Sequence, residues 1–287
     1  MALVTLREIL NDAKQKKYGV FATNAFSFEM ADVIIKAAEE KHSPVILMMA
    51  EGLFKFLNPE YISVAIISMI KDAKVPIAFH LDHGNNFDVV VKCIRWGFSS
   101  VMFDGSSLPL EENIKIIKEL KKITKPLNIS IEAEVGYVGG LEARGKTEEY
   151  ESININDYTK VEDVIRFTSE TEVDALAIAI GTIHGVFRSK PNLAFDRIKE
   201  IRNATETPLV LHGSSGLSDE DLKKVISCGI TKINYFTDLV IEAGKKAKEI
   251  ACGENDFTYM MLNKLAMEAI KEKIKKKMDL FGSTGKA

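Results

Sequence analysis

Three histidines close the same short pattern, an apolar run followed by His-Gly: His83 in FHLDHG, His184 in AIAIGTIHG and His212 in PLVLHGSSG. The whole chain has only five histidines. An apolar β-type run that ends on histidine places an imidazole at a strand's carboxyl end, with a flexible turn behind it. Three neutral imidazoles converging from separate strands make an open metal site, with one coordination position left for water or substrate. Nitrogen ligands without paired thiolates suit Zn²⁺ best. A lone buried histidine is more often structural than a ligand. Three of them, each followed by glycine and accompanied by carboxylates, reverse that expectation. The pattern points to chemistry on a small anionic or carbonyl-bearing molecule.

The polar residues around them suggest how such chemistry would run. Asp82 precedes His83. Neighbours on a strand diverge, but at its frayed end both can border one cavity, where the carboxylate serves as a general acid or base or orients a ligand. His80 is expected on the opposite face of its strand from His83, in a structural or supporting role, and His42 at a surface helix end. After the seventh apolar run comes Gly213-Ser214-Ser215-Gly216, and after the eighth comes Asn234-Tyr235-Phe236-Thr237-Asp238, each opening a helix. Backbone N–H groups in such loops, with helix N-termini behind them, cradle phosphate. The segment 136–158 fits neither strand nor helix. Its glycines 136, 139 and 140 permit a hinge, so it reads either as a mobile lid or as a disordered surface loop, and Glu142 within it either closes over substrate as a proton-transfer group or is a solvated surface charge.

These residues need elements to position them. Eight continuous apolar runs fall at 19–24, 44–49, 76–81, 99–103, 128–134, 174–180, 207–212 and 230–234. Unbroken apolar character marks strands covered on both faces. Amphipathic stretches separate them at 28–41, 58–73, 85–96, 110–123, 159–171, 195–204 and 218–228. Eight β-α units in one domain, with no internal repeat and no linker, predict a (β/α)₈ TIM barrel, α/β in class, with usual length ~250 residues. In that fold the carboxyl ends of the strands form the active face, and Asn24, Asp82, His83, Asp104, Glu134, His184, His212 and Asn234 all fall there.

Composition excludes other classes. The 287 residues carry a net charge of −3, which gives no electrostatic case for nucleic acid or an anionic membrane. The dense lysine run at 271–277 alternates with apolar residues at helical spacing and reads as the solvated face of a terminal helix. Cys93, Cys228 and Cys252 are odd in number and widely spaced, as expected of reduced, buried or partly buried thiols in a soluble cytoplasmic protein. No apolar stretch approaches the ~18 residues of a membrane span.

Taken together, HLDHG, MFDGS, EAEVG with the following Gly-Gly, AIAIGT-x-HG, LVLHG-x-SG and K-x-N-x-x-TD resemble the class II, metal-dependent ketose-bisphosphate aldolases, nearest the tagatose- and fructose-bisphosphate branch. The resemblance covers nearly the whole chain in order. It implies one zinc ion per subunit on His83, His184 and His212, and a monovalent cation (Na⁺ or K⁺) on glycine carbonyls near Gly185 and Gly213. It implies Asp82 as the proton-transferring aspartate and Glu142 as the loop glutamate that moves the C1 proton of dihydroxyacetone phosphate. Asn24, Gly185, Gly213, Ser214, Ser215, Asn234, Tyr235, Phe236 and Thr237 match substrate-binding positions, and Asp104 with Glu134 match an alternative metal position. The implied reaction is reversible cleavage of fructose or tagatose 1,6-bisphosphate, through an enediolate, to dihydroxyacetone phosphate and glyceraldehyde 3-phosphate. The implied assembly is a homodimer or homotetramer working in carbohydrate metabolism such as glycolysis.

The chain departs from that pattern at the aldehyde end. Phe236 and Val240 replace an aspartate and an arginine associated with bisphosphate use. Phe26, Ala50 and Ile183 also make the pocket more apolar. The same mechanism on another ketose phosphate, such as the one formed in inositol breakdown, is therefore an alternative. A zinc hydrolase on the same fold leaves the lid glutamate and the phosphate loops without a purpose. A non-catalytic aldolase-like partner subunit leaves Asp82 and Glu142 without one.

Overall fold

The computed structural model describes residues 2–139, 157–185, 187, 191–253 and 256–287, and all eight predicted runs are strands in it. They are β1 (Val20–Asn24), β2 (Val45–Ala50), β3 (Ile77–Gly84), β4 (Ser100–Phe103), β5 (Ser130–Val135), β6 (Ala175–Ile178), β7 (Leu209–Leu211) and β8 (Ile230–Asn234). Every pairing is parallel, and β8 pairs with β1, so the sheet closes into a barrel in sequence order. The α-helices among the described residues are α1 (Leu6–Lys16), α2 (Phe28–Glu40), α3 (Pro59–Asp72), α4 (Phe87–Arg95), α5 (Leu110–Thr124), α6 (Val161–Thr171), α7 (Phe195–Ala204), α8 (Asp219–Cys228), α9 (Thr237–Ala251) and α10 (Tyr259–Phe281), with a 3-10 turn at Glu51–Phe56.

Alternation along the strands creates two cores. One set of side chains, including Phe21, Val45, Leu47, Ile77, Phe79, Val101 and Leu211, packs outward against the helices. The other set faces inward: Val20, Ala22, Ile46, Met48, Ala78, Ala175, Ala177 and Val210. Alanine is prominent in the inner set, which leaves volume for the longer His80, Glu132 and Lys232, all fully buried. Helix α1 adds Leu6, Ile9, Leu10 and Ala13 to this inner cluster. It therefore plugs the amino-terminal end of the barrel and leaves the carboxyl-terminal end to the site. The sequence pattern predicts no helix there, although Thr5 and Glu8 form a capping box at its start.

Two expectations need amendment. The lysine run on α10 is not only a solvated face. Lys271 and Lys275 pair with Glu40 on α2, Lys273 with Glu242 on α9, and Lys277 with Asp219 on α8. The opposite face buries Ala266, Ile270, Ile274, Met278 and Phe281, which supply most of the docking, since partly exposed ion pairs contribute little each. Cys93 and Cys228 are buried as expected, but Cys252, just past the end of α9, is exposed. No helix among the described residues is long and apolar enough to cross a membrane.

The tight inner core gives a direct test. Ala177→Leu adds three carbon atoms to a fully buried interior position. It is expected to cost about 1–3 kcal/mol, read as a lower urea midpoint. An unchanged midpoint would mean that the barrel interior is loosely filled.

Candidate metal centre and active site

The site begins with a break in strand β3. Its pairing with β4 runs His80 to Ser100 and Leu81 to Val101, then slips so that Gly84 meets Phe103. At this irregularity His83 has φ of 51°, in the left-handed region that L-residues rarely adopt. The turn cancels the strand alternation, so Asp82 and His83 border the same space. His80 keeps the alternation and lies on the same inward side as Asp82, its Nδ1 2.7 Å from Ser100 Oγ. Simple alternation predicts it opposite His83. The difference comes from His83, which the bulge turns inward.

Asp82 is fully buried and held from two sides. Asn24 Nδ2 on β1 donates to one carboxylate oxygen at 2.9 Å, and Asn234 Nδ2 on β8 donates to the other at 3.0 Å. Burial alone would raise its pKa, but His83 and Lys232 outweigh burial and hold the carboxyl at about 2. The Oδ1 atoms of both asparagines are buried without a partner, so acceptors face the same space.

The three imidazoles converge. Ring centroids lie 4.8 Å apart for His83 and His184, 4.6 Å for His83 and His212, and 5.7 Å for His184 and His212. Their donor nitrogens all lie within 4.8 Å of one another, a grouping that could hold a metal ion. His83 Nδ1 meets Asp104 Oδ2 at 2.8 Å, leaving Nε2 buried and unpartnered. His212 Nε2 meets Glu132 Oε1 at 3.0 Å. Its Nδ1 lies 3.2 Å from Glu134 Oε2, yet neither atom makes a hydrogen bond. His184 is set by its backbone N–H, which donates to Gly139 O at 2.8 Å.

Charge explains why these groups suit a cation. Burial lowers His184 well below the ordinary histidine value, and the neighbouring His83 and His212 lower it further. Burial also opposes charge on His83, but Asp82 and Asp104 raise it to about 10. His212 is raised despite burial, by its contacts with Glu132 and Glu134. The space thus favours positive charge on the carboxylate-facing rings and resists it on the third. A metal ion supplies that charge once and uses all three lone pairs. His83, Asp104 and Glu134 form a second grouping with donor atoms within the same 4.8 Å limit.

The two predicted phosphate loops meet beside the imidazoles. A small cavity is lined by Asn24, Met48, His184, Gly185, Gly213, Ser214, Ser215, Asn234, Phe236 and Thr237. Asp238 ties the loops together: its carboxylate accepts Gly216 N–H at 2.9 Å and Tyr235 O–H at 2.5 Å, while its own N–H donates to Ser215 Oγ at 3.3 Å. Ser214 Oγ donates to the Asn234 carbonyl at 2.6 Å. Tyr235, expected among the substrate-binding residues, is not a wall of this cavity. It is buried against Phe21 with ring centroids 6.1 Å apart, and it braces the loop from behind. Glu142, Gly140 and most of the predicted lid lie outside the described residues. Sequence reasoning does not single out Glu132 and Lys232, although both occupy inward positions, two residues before Glu134 and Asn234 on their strands.

Architecture and site place the chain among barrel enzymes that work at a metal on the strand ends, and comparison with known proteins narrows the class. The family described as fructose-bisphosphate aldolase class-II matches residues 4–286, and the chain belongs to it. It is a metal-dependent aldolase, a lyase of carbon–carbon bonds. The crystal structure of the YdjI aldolase from Escherichia coli K12 is similar, with TM-score 0.88 and 38% identity over 99% of each chain. The 6-phospho-5-dehydro-2-deoxy-D-gluconate aldolase of Halalkalibacterium halodurans is 38% identical over 100% of this chain and 99% of its own. The sulfofructosephosphate aldolase of Alkalicoccus urumqiensis is 36% identical over 100% and 99%.

Gly213 offers a test of the site's construction. It has φ of 62°, and a Cβ there would collide with the carbonyl of Ile183, the residue before His184. Gly213→Ala should displace the His184 turn and weaken binding of a divalent cation by about tenfold or more, measured by competition with a chromophoric chelator. Wild-type affinity in the folded variant would show that this close approach does not set the ligand geometry.

Proposed function

We propose that this aldolase uses zinc, held by His83, His184 and His212, to cleave a ketose phosphate reversibly to dihydroxyacetone phosphate and an aldehyde. Fructose and tagatose 1,6-bisphosphate, with glyceraldehyde 3-phosphate as the aldehyde, are the first candidates. The observation that carries the proposal is the convergence of three imidazoles beside an ionised Asp82, on a cavity walled by the two phosphate-type loops. Two atoms test the fit of a cation. His83 Nε2 is buried without a hydrogen bond, 4.0 Å from Asp82 Oδ1, and His212 Nδ1 faces Glu134 Oε2 with no hydrogen bond between them. A cation relieves both. All-nitrogen donors favour zinc among the common divalent metals. When bound, zinc supplies Lewis-acid stabilisation of the negative charge that C3–C4 cleavage leaves beside the ketone.

The chain's own residues do the rest. Asp82 accepts the C4 hydroxyl proton in cleavage and returns it in condensation. Its two asparagine partners fix the carboxylate plane and leave lone pairs on both oxygens for that proton. The unpartnered Asn24 and Asn234 Oδ1 atoms accept from substrate hydroxyls. Gly185, Gly213, Ser214, Ser215 and Thr237 hold the phosphate of the dihydroxyacetone half, with the positive end of α9 opening at Thr237 on the same cavity. In cleavage Glu142 gives a proton to the former C3 of the ketose, which becomes C1 of dihydroxyacetone phosphate.

A second reading of the substrate rests on a specific contact. Phe236, at the cavity wall, meets Phe26 edge to face with ring centroids 6.2 Å apart. This aromatic pair offers nothing to a distal phosphate, and relatives of equal similarity carry names for other ketose phosphates. An aldehyde half without that phosphate fits such a wall.

Two measurements decide these points. Dihydroxyacetone phosphate release from fructose and tagatose 1,6-bisphosphate, their 1-phosphates and the inositol-pathway ketose phosphate, after chelation and reloading with Zn²⁺ or Co²⁺, should show metal-dependent turnover of one class. Turnover of a bisphosphate supports the first candidates, and turnover only without a distal phosphate supports the second reading. Activity that survives complete metal removal would sink the zinc mechanism. Asp82→Asn should lower kcat by about 10²–10⁴ while the protein still binds metal. Loss of metal instead would make Asp82 an orienting group for His83.

A further inference from the structure

Beneath the three imidazoles lies a layer of ionisable side chains that the proposed reaction does not touch. Glu132 on β5, Lys232 on β8 and His80 on β3 have no exposed surface. Lys232 Nζ donates to the two Glu132 oxygens at 3.0 and 2.7 Å. The same Glu132 Oε1 lies 3.0 Å from His212 Nε2, and Oε2 lies 3.5 Å from His80 Nε2. One carboxylate therefore joins an ammonium on β8 to an imidazole that follows β7.

Stability is a weak reason for such a pair. Taking two charges out of water costs nearly what their attraction returns, and well-packed apolar residues often replace them without loss. The geometry has a sharper consequence. A carboxylate already facing an ammonium can only accept from the imidazole, so the proton of His212 sits on Nε2. The lone pair then falls on Nδ1, which lies 3.2 Å from Glu134 Oε2 with no hydrogen bond to it, two acceptors that a cation between them would reconcile. We infer that Glu132, locked in place by Lys232, is a positioning residue that fixes the tautomer and ring plane of His212, so that Nδ1 faces the other two imidazoles. This inference rests on the reading of the three histidines as metal ligands. Hydrogen-bonded carboxylates behind ligating histidines orient them in this way, and their loss weakens metal binding about 10–100-fold.

The experiment compares two paired variants that leave no buried charge alone. Glu132→Gln with Lys232→Met keeps an acceptor for His212. Glu132→Leu with Lys232→Met removes it. Co²⁺ affinity and the visible d–d absorption are read on each folded protein. The first pair should stay within about threefold of the parent with a similar band, whereas the second should bind about 10–100-fold more weakly with a shifted band. Parent affinity and an unchanged band in the second pair would overturn the inference. Because either pair can fail to fold, imidazole ¹⁵N spectra of the zinc-loaded parent give an independent reading. Zinc-sensitive Nδ1 with protonated Nε2 on His212 is expected, and protonated Nδ1 overturns the positioning role alone. A parent protein that binds neither Co²⁺ nor Zn²⁺ sinks the metal reading itself.

Discussion

The site depends on one backbone departure, the left-handed turn at His83 inside an otherwise regular strand. A parallel strand presents alternate residues to the barrel interior. Without the slip between Leu81 and Gly84, Asp82 would face inward and His83 outward into the helical layer. With it, an acid and an imidazole from adjacent positions share one cavity. A left-handed non-glycine residue costs roughly 1–3 kcal/mol and persists only where its surroundings hold it. Here the Asp104 carboxylate grips His83 Nδ1, and Gly84 allows β4 to approach the bulge closely.

The second constraint is electrostatic. Four carboxyl groups, those of Asp82, Asp104, Glu132 and Glu134, gather at one end of a closed barrel, where Lys232 pairs with Glu132 and its charge also acts on Asp82. Uncompensated charge in a dry interior is costly, so such a cluster requires positive charge from elsewhere. A proton on His83, favoured by Asp82 and Asp104, provides some in the metal-free chain. Compensation is split between two layers. Lys232 neutralises the lower one through Glu132, and the imidazole layer above gathers the rest of the positive charge where a substrate carbonyl can use it. The small inward residues of β6, Ala175 and Ala177, make room for this polar interior. Fold and site are coupled through volume as well as charge.

What the sequence discloses follows from range. Strands of a parallel barrel are apolar on both faces, so all eight are legible as unbroken runs, and the His-Gly endings mark three carboxyl ends. Interactions that need the closed barrel are not legible. Glu132 and Lys232 lie far apart in the chain, and nothing local to either pairs them. Alternation puts His80 and His83 on opposite faces because a period of two cannot reveal a bulge. Tyr235 sits between two cavity-lining residues in sequence, but the turn into α9 sends its ring toward Phe21. The α1 plug escapes for the opposite reason: its capping box is visible, but no β-α pattern requires a helix before the first strand.

The two halves of the cavity impose different discrimination. On the proposed phosphate side, Asp238 cross-links the loops and the walls are short polar residues and glycines. A site built from buried hydrogen-bonding groups rejects molecules that leave those groups unpaired, by factors that apolar contacts do not reach. The Phe26–Phe236 side offers shape and little else. An apolar wall separates substrates differing by one methylene by only ~10–200-fold, and it rejects an added hydroxyl no better. If the aldehyde lies on the aromatic side, as proposed, exchanging it requires changes at few positions, whereas a change at the three histidines, Asp82 or the linked loops disturbs several buried partners at once. On the proposed assignment of the two sides, this asymmetry is consistent with relatives that, at 36% and 38% identity over nearly their whole length, carry names for different ketose phosphates.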